Sequence, residues 1–167
     1  KAVLLQPESL DARFGLASAL VSLGHSQRAV ELYREIEQVR PDFPGLQLNF
    51  GLACMKLGRC DAAIAHYDRA IVGQPDNYMA YNNRGNTLQD LERHEAAVES
   101  YERAIALKPD YAEAYYNRGN ALARLHAARP VRRQRLHARS QLGERALGAI
   151  DAKGHALGVL PRVVPEQ

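Results

Sequence analysis

Between residues 44 and 77 the apolar positions fall into two blocks. Leu48, Leu52, Met55 and Leu57 recur at helical spacing, and Gly58 then breaks the pattern. Ala62, Ala63, Tyr67, Ala70 and Ile71 form a second amphipathic stretch that stops before Pro75. Gly58 suits a tight turn where a side chain would be costly. Pro75 cannot continue the helix before it, and Asp76 is placed to accept hydrogen bonds from the free amides of the next one.

The block repeats along the chain. Pro7, Pro41, Pro75 and Pro109 stand 34 residues apart, and Asp42, Asp76 and Asp110 follow three of them. Gly51, Gly85 and Gly119 keep the same step, as do Tyr33, Tyr67 and Tyr101, and Ala29, Ala63 and Ala97. A fixed period of this size marks stacked helical hairpins, none of which buries its apolar face alone. The pattern predicts helix pairs at about 10–23 with 26–39, 44–57 with 60–73, and 78–91 with 94–107, then a further first helix at about 112–125. The units are 10–43, 44–77, 78–111 and the half unit 112–125, with residues 1–9 reading as the tail of an earlier unit. Ala17, Gly51, Gly85 and Gly119 provide close approach between helices, while the three tyrosines fill space between units. The expected fold class is all-α, a right-handed solenoid of stacked helix–turn–helix hairpins.

Composition narrows the class. The 167 residues are 46% hydrophobic and 25% charged, as in one soluble domain, and no apolar run approaches the roughly 20 residues that span a bilayer. No secretory signal pattern is visible, so a cytoplasmic address in a bacterial cell is the expectation, and Lys1 in place of Met implies a missing native start. Cys54 and Cys60 lack the further Cys/His pair of a zinc site, and Cys54 is expected to pack as a small apolar group. The net charge of +3 is uneven: residues 1–125 sum to −2 and residues 126–167 to +5. All eleven Phe and Tyr lie at or before Tyr116, so two kinds of sequence meet near His126.

Gly85, Leu88, Ala97, Tyr101, Ala104 and Pro109 carry a resemblance to the tetratricopeptide repeat family over residues 10–125. Arg84 and Arg118 depart from it, standing where leucine is usual; their stems could pack while the guanidinium reaches water. The resemblance implies a concave groove, lined by first helices, that receives a peptide or partner helix. In the first two units that face offers Phe14, Ser18, Val21, Leu48, Asn49, Leu52 and Met55, mostly apolar. In the next two it offers Asn82, Asn83, Asn86, Gln89, Asp90, Tyr116, Asn117, Asn120 and Arg124. Asparagine both donates and accepts, so a row of them can pair with the backbone of an extended chain; the competing reading is that they pair between adjacent repeats or face solvent. The stretch 81–122 is similar to the repeat arm of O-linked N-acetylglucosamine transferases and their bacterial relatives. The lysines and arginine with which some relatives hold a terminal carboxylate are missing, since the matching sites are Asn82, Glu113 and Asn117.

After Leu125 the repeat is lost. Val131, Arg135 and Gly143 occupy positions where Ala, Tyr and Pro are expected, and Pro130 would interrupt a helix begun at His126. Three readings stay open: a degenerate capping helix within 131–150, a basic arm for nucleic acid through Arg129, Arg132, Arg133, Arg135 and Arg139, or a frameshift product.

No catalytic constellation is apparent: no nucleophile elbow, phosphate-cradling glycine loop or dinucleotide fingerprint occurs. None of the six histidines sits in a metal-ligand pair, and His66 and His94 read as solvated residues of second helices. The sequence therefore points to a non-enzymatic scaffold that binds a protein or peptide, without cofactor, metal or membrane. Its alternatives are the substrate-recruiting arm of a glycosyltransferase and, less expected, a nucleic-acid-associated protein. Uncapped repeat ends also suggest self-association.

Overall fold

The computed structural model describes residues 7–127, and nothing but helices and their connections occurs among them. In chain order these are α1 (Pro7–Ser22), α2 (Ser26–Val39), α3 (Leu46–Lys56), α4 (Cys60–Gly73), α5 (Tyr78–Asp90), α6 (His94–Leu107) and α7 (112–127). The readings made above for the tail beyond Ala127, and for residues 1–6 of the segment 1–9, lie outside the described residues; residues 7–9 of that segment open α1 instead, three residues ahead of the expected start. α3 begins two residues later than the periodicity suggests. Pro44 and Gly45 form a turn, with Gly45 at φ 74°, and the Leu46 amide donates to the Phe43 carbonyl.

The hairpin turns also keep the 34-residue step. Gly24 and Gly58 close the first two at φ 84° and 70°; the third places Glu92 there at φ 58°. A side chain in that region costs about 1–2 kcal/mol through Cβ–carbonyl crowding, so the third hairpin carries strain that the first two avoid. At the start of α5 the cap is Asn77, not Asp76: its Oδ1 accepts from the Ala80 amide at 3.1 Å. A side-chain oxygen one residue beyond the proline turn is the one that reaches the open end of the helix.

Tyr33, Tyr67 and Tyr101 are all fully buried, as are Ala29, Ala63 and Ala97. A Cβ built on Gly51 would stand 2.6 Å from the Tyr67 ring, and one on Gly85 2.6 Å from the Tyr101 ring. Glycine is thus required in both first helices by the aromatic ring facing it. Gly119 meets no described neighbour within 4 Å.

The apolar core runs without interruption from Leu10 to Tyr67, and a smaller cluster holds Leu88, Ala97, Tyr101 and Ala121. A part-buried polar joint separates them, the Arg84 side chain 31% exposed and Asp68 50%. Arg84 donates to Asp68 Oδ1 at 2.7 Å and to Ser100 Oγ at 2.9 Å, so its guanidinium, expected to reach water, pins α5 to the helices on either side. Thr87 and Ser100, both buried beside it, donate back to carbonyls four residues earlier in their own helices. Arg118, at the same step, lies 5.5 Å from the centre of the Tyr115 ring.

Candidate partner-binding face

The backbones of α3 and α1, and of α3 and α5, approach each other, whereas those of α2, α4 and α6 do not, and long side chains such as Arg69 and Glu37 bridge α4 and α2. Helices that approach more closely form the inside of a curve, so the first-helix side is the inner face of the array. Every groove residue expected from the sequence lies on α1, α3, α5 or α7.

Along that face the apolar half is partly absorbed into the core. Phe14, Leu48, Leu52 and Met55 are half-buried and pack against the core cluster. Phe14 places its ring 5.1 Å from Phe43 and 5.8 Å from Tyr33. Val21 is buried, and Ser18 shares a 3.0 Å hydrogen bond with the Tyr33 hydroxyl.

The polar half differs more from the expectation. Asn82, expected on the exposed face, is fully buried. Its amide donates to the Tyr111 hydroxyl at 3.3 Å and to Glu113 Oε1 at 3.0 Å, and its carbonyl oxygen accepts from Asn117 at 3.3 Å. Asn117 also donates to Asn86 Oδ1 at 3.0 Å, and the same oxygen accepts from the Tyr101 hydroxyl at 2.8 Å. Asn49 turns back on its own helix and donates to the Gly45 carbonyl at 3.0 Å. Asn82, Asn86 and Asn117, three of the six asparagines, therefore join one repeat to the next, and Asn82, Glu113 and Asn117, which match the terminal-carboxylate site of some relatives, bind one another instead.

What remains is small and defined. Among the described residues the Asn83 and Asn120 side chains form no hydrogen bond, Tyr116 is 71% exposed, and Arg124 is exposed. Gln89 is half-buried, its side chain only distantly engaged by the Tyr101 hydroxyl at 3.4 Å. The 34-residue step explains the contrast at Asn83. Asn117 finds its acceptors on Asn82 and Asn86; one step earlier those positions are Leu48 and Leu52, which offer none.

The same arithmetic exposes a feature that the sequence reading passed over. Tyr33 pairs with Ser18 and Tyr101 with Asn86, but the residue at that step for Tyr67 is Leu52, and the buried Tyr67 hydroxyl has no hydrogen-bond partner. Burial pushes the ionisation of all three tyrosines upward. At Tyr111 burial, with the hydrogen bond to Glu113 adding to it, raises the pKa to about 12.

Behind the groove lies a polar relay between α2, α3 and α4. His66, read as a solvated residue, stacks on Phe50 with ring centres 3.9 Å apart, and its Nδ1 lies 2.7 Å from Gln47 Oε1. An amide oxygen only accepts, so Nδ1 carries the proton. Gln47 in turn donates to Glu37, which also receives Arg69 at 2.8 Å. Burial holds the His66 pKa below its ordinary value, against the raising effect of Glu37. His94 is also half-buried, and its Nδ1 has no partner. Cys54 is buried as expected, and burial raises its thiol pKa. Among the described residues no group of three or more His, Cys, Asp or Glu is arranged to hold a metal ion, and no helix is long and apolar enough to cross a membrane.

A tight hairpin every 34 residues, tyrosine against glycine within hairpins and a first-helix inner face define a helical-repeat scaffold. Tetratricopeptide repeat models match residues 1–45, 51–92 and 86–125, and the chain belongs to the tetratricopeptide repeat family. No curated protein matches the sequence. Solved structures share the fold at low identity. The first TPR domain of Spaghetti (RPAP3), bound to the HSP90 peptide SRMEEVD, is 21% identical with a TM-score of 0.69, covering 75% of this chain and 99% of its own. The Sgt2 TPR domain from Aspergillus fumigatus is 19% identical with a TM-score of 0.69, covering 78% and 87%. MamA is 24% identical with a TM-score of 0.65, covering 70% and 68%.

Proposed function

We propose that this chain is a protein-interaction scaffold whose first-helix face receives an extended partner segment. The observation that carries the reading is Asn83. Its counterparts Asn49 and Asn117 are spent inside the array, while the Asn83 amide has no described partner and the repeat step sets it beside Leu48 and Leu52. An unspent donor–acceptor pair next to half-buried apolar side chains suits a peptide that contributes one backbone amide and small apolar groups. The peptide-bound Spaghetti domain supports a peptide as the kind of ligand. The chemistry favours a different peptide here, because Glu113 occupies one of the positions matched to terminal-carboxylate capture and would repel a carboxylate.

The test is peptide-display selection on the purified chain, followed by affinity measurements on the winners. Asn83→Ala should weaken them by roughly 2–10-fold, the worth of one hydrogen bond. Met55→Lys should weaken them as well, and Arg28→Ala, on the second-helix side, should not. Failure to enrich any peptide, or affinities indifferent to both groove variants, would overturn the reading.

A further inference from the structure

A cleft of about 340 Å³ lies between the turn after α2 and the end of α4. Phe43, Leu48, Arg69, Gly73 and Asn77 are among the residues that line it. Its size is at the low end of the range for sites that enclose a small group, about 300–1,000 Å³, so it suits one side chain.

The repeat step explains the open space. Gly73 and Asn77 stand where Leu107 and Tyr111 stand one period later, and a Cβ built on Gly73 would meet nothing within 4 Å. At the later joint the Tyr111 ring lies 5.0 Å from that of Tyr78, with the Lys108 ammonium 5.5 Å from its centre. At the earlier joint the ring is Phe43, with the Arg40 guanidinium 5.6 Å from its centre. The middle joint has neither, since Asn77 takes the place of the ring and Gln74 that of the cation.

The lining selects among ligand groups. Its two charged side chains are already paired, Arg69 with Glu37 at 2.8 Å and Asp42 with Arg40 at 3.8 Å, so a neutral group fits without displacing a partner. Phe43 and Leu48 supply apolar wall. Arg69 favours a ring over an aliphatic chain. One period on, Arg103 lies 6.0 Å from the centre of the Tyr81 ring, whereas Gln47 stands in that ring's place beside Arg69. The Tyr111 hydroxyl is held by Asn82 and Glu113, and the same step puts Leu48 and Met79 there, so a bare ring suits the cleft better than a phenol.

We infer that the cleft is a phenylalanine pocket, in which a Phe side chain of the bound partner segment replaces the ring that the middle joint lacks. Only the source of the ring rests on the reading of the first-helix face as the partner groove. Leu48 belongs to both that face and the cleft, so the two are continuous.

The test titrates the ¹⁵N-labelled full chain with the capped peptide acetyl-Ala-Ala-Phe-Ala-Ala-amide. The backbone amides of Gly45, Gly73, Gln74 and Asn77 should shift and saturate, with a Kd on the order of 1 mM. Leu in place of Phe should weaken binding about 2–5-fold, and Tyr at least as much. Gly73→Leu, which gives α4 the side chain that α6 carries at Leu107, should abolish the saturable shifts and leave helical content unchanged, since leucine is the better helix former. Cleft amides that do not move, shifts that survive Gly73→Leu, or equal affinity for the three peptides would overturn the proposal. So would toluene binding as tightly as the Phe peptide, because the cleft would then serve a free aromatic molecule. None of these outcomes passes through Asn83, so failure of the cleft is told apart from failure of the groove.

Discussion

Tyr67→Phe is expected to stabilise the protein, whereas Tyr33→Phe and Tyr101→Phe destabilise it, although all three rings are equally buried. The reasoning turns on one oxygen. The Tyr101 hydroxyl donates to Asn86 at 2.8 Å and the Tyr33 hydroxyl pairs with Ser18 at 3.0 Å; removing either loses a part-buried hydrogen bond worth about 1 kcal/mol. The Tyr67 hydroxyl is buried without a hydrogen-bond partner: its neighbour at the repeat step is Leu52, and the nearby Thr87 oxygen, whose proton goes to the Asn83 carbonyl, is not placed to accept from it. Such a group costs about 1–3 kcal/mol to desolvate, so deleting it should return about 1 kcal/mol. Urea unfolding followed at 222 nm resolves this, since a change of 1 kcal/mol moves the midpoint by about 0.3–1 M. A partner can also be supplied. Leu52→Asn places an amide where Asn86 serves Tyr101, and a double-mutant cycle with Tyr67→Phe should show coupling of about 1 kcal/mol. A Tyr67→Phe midpoint that falls as far as that of Tyr101→Phe would refute the argument, showing the hydroxyl to be satisfied.

Three further outcomes are expected. Gly85→Ala should destabilise by about 1–3 kcal/mol, because the new Cβ would overlap the Tyr101 ring, whereas Gly119→Ala should gain up to about 1 kcal/mol of helix propensity; equal losses at both would show Gly119 to be covered. Glu92→Gly should raise the thermal midpoint by relieving the left-handed strain, worth about 1 kcal/mol, and Glu92→Ala should not; a rise with Ala would locate the effect elsewhere. His66, its pKa lowered by burial, binds a proton less readily folded than unfolded, so stability should rise with pH from below the ordinary histidine value of about 6.5 to just above it. Urea midpoints between pH 5 and 7.5 should show a slope that shrinks in His66→Gln, and an unchanged slope would exclude His66 as its source.

The sequence by itself determined the architecture. Helix placement, the glycine turn at 58 and its step-equivalent at 24, the paired glycine and tyrosine of the second and third hairpins and the burial of Cys54 all follow from one 34-residue frame. They do so because these contacts recur, and a recurring contact leaves its signature at every repeat. What only the tertiary structure decided is where repeats differ from their neighbours. Asn49, Asn83 and Asn117 are equivalent in the frame, yet one turns back on its helix, one is unspent and one ties two repeats together. Asn82 is buried because Tyr111, at the end of its own unit, and Glu113 and Asn117, from the next, converge on it. His66 is drawn inward by Phe50 and Gln47, and the cap of α5 falls to Asn77 rather than Asp76 because of the angle at which the turn delivers the chain. Comparing the residues that stand one period away, Leu52 against Ser18 and Asn86, would have exposed the orphaned hydroxyl from sequence alone. The rest could not be read that way, because a hydrogen bond depends on distances of a few tenths of an ångström between side chains some 30 residues apart, and a repeat pattern fixes the helices to which they belong but not where their polar atoms point.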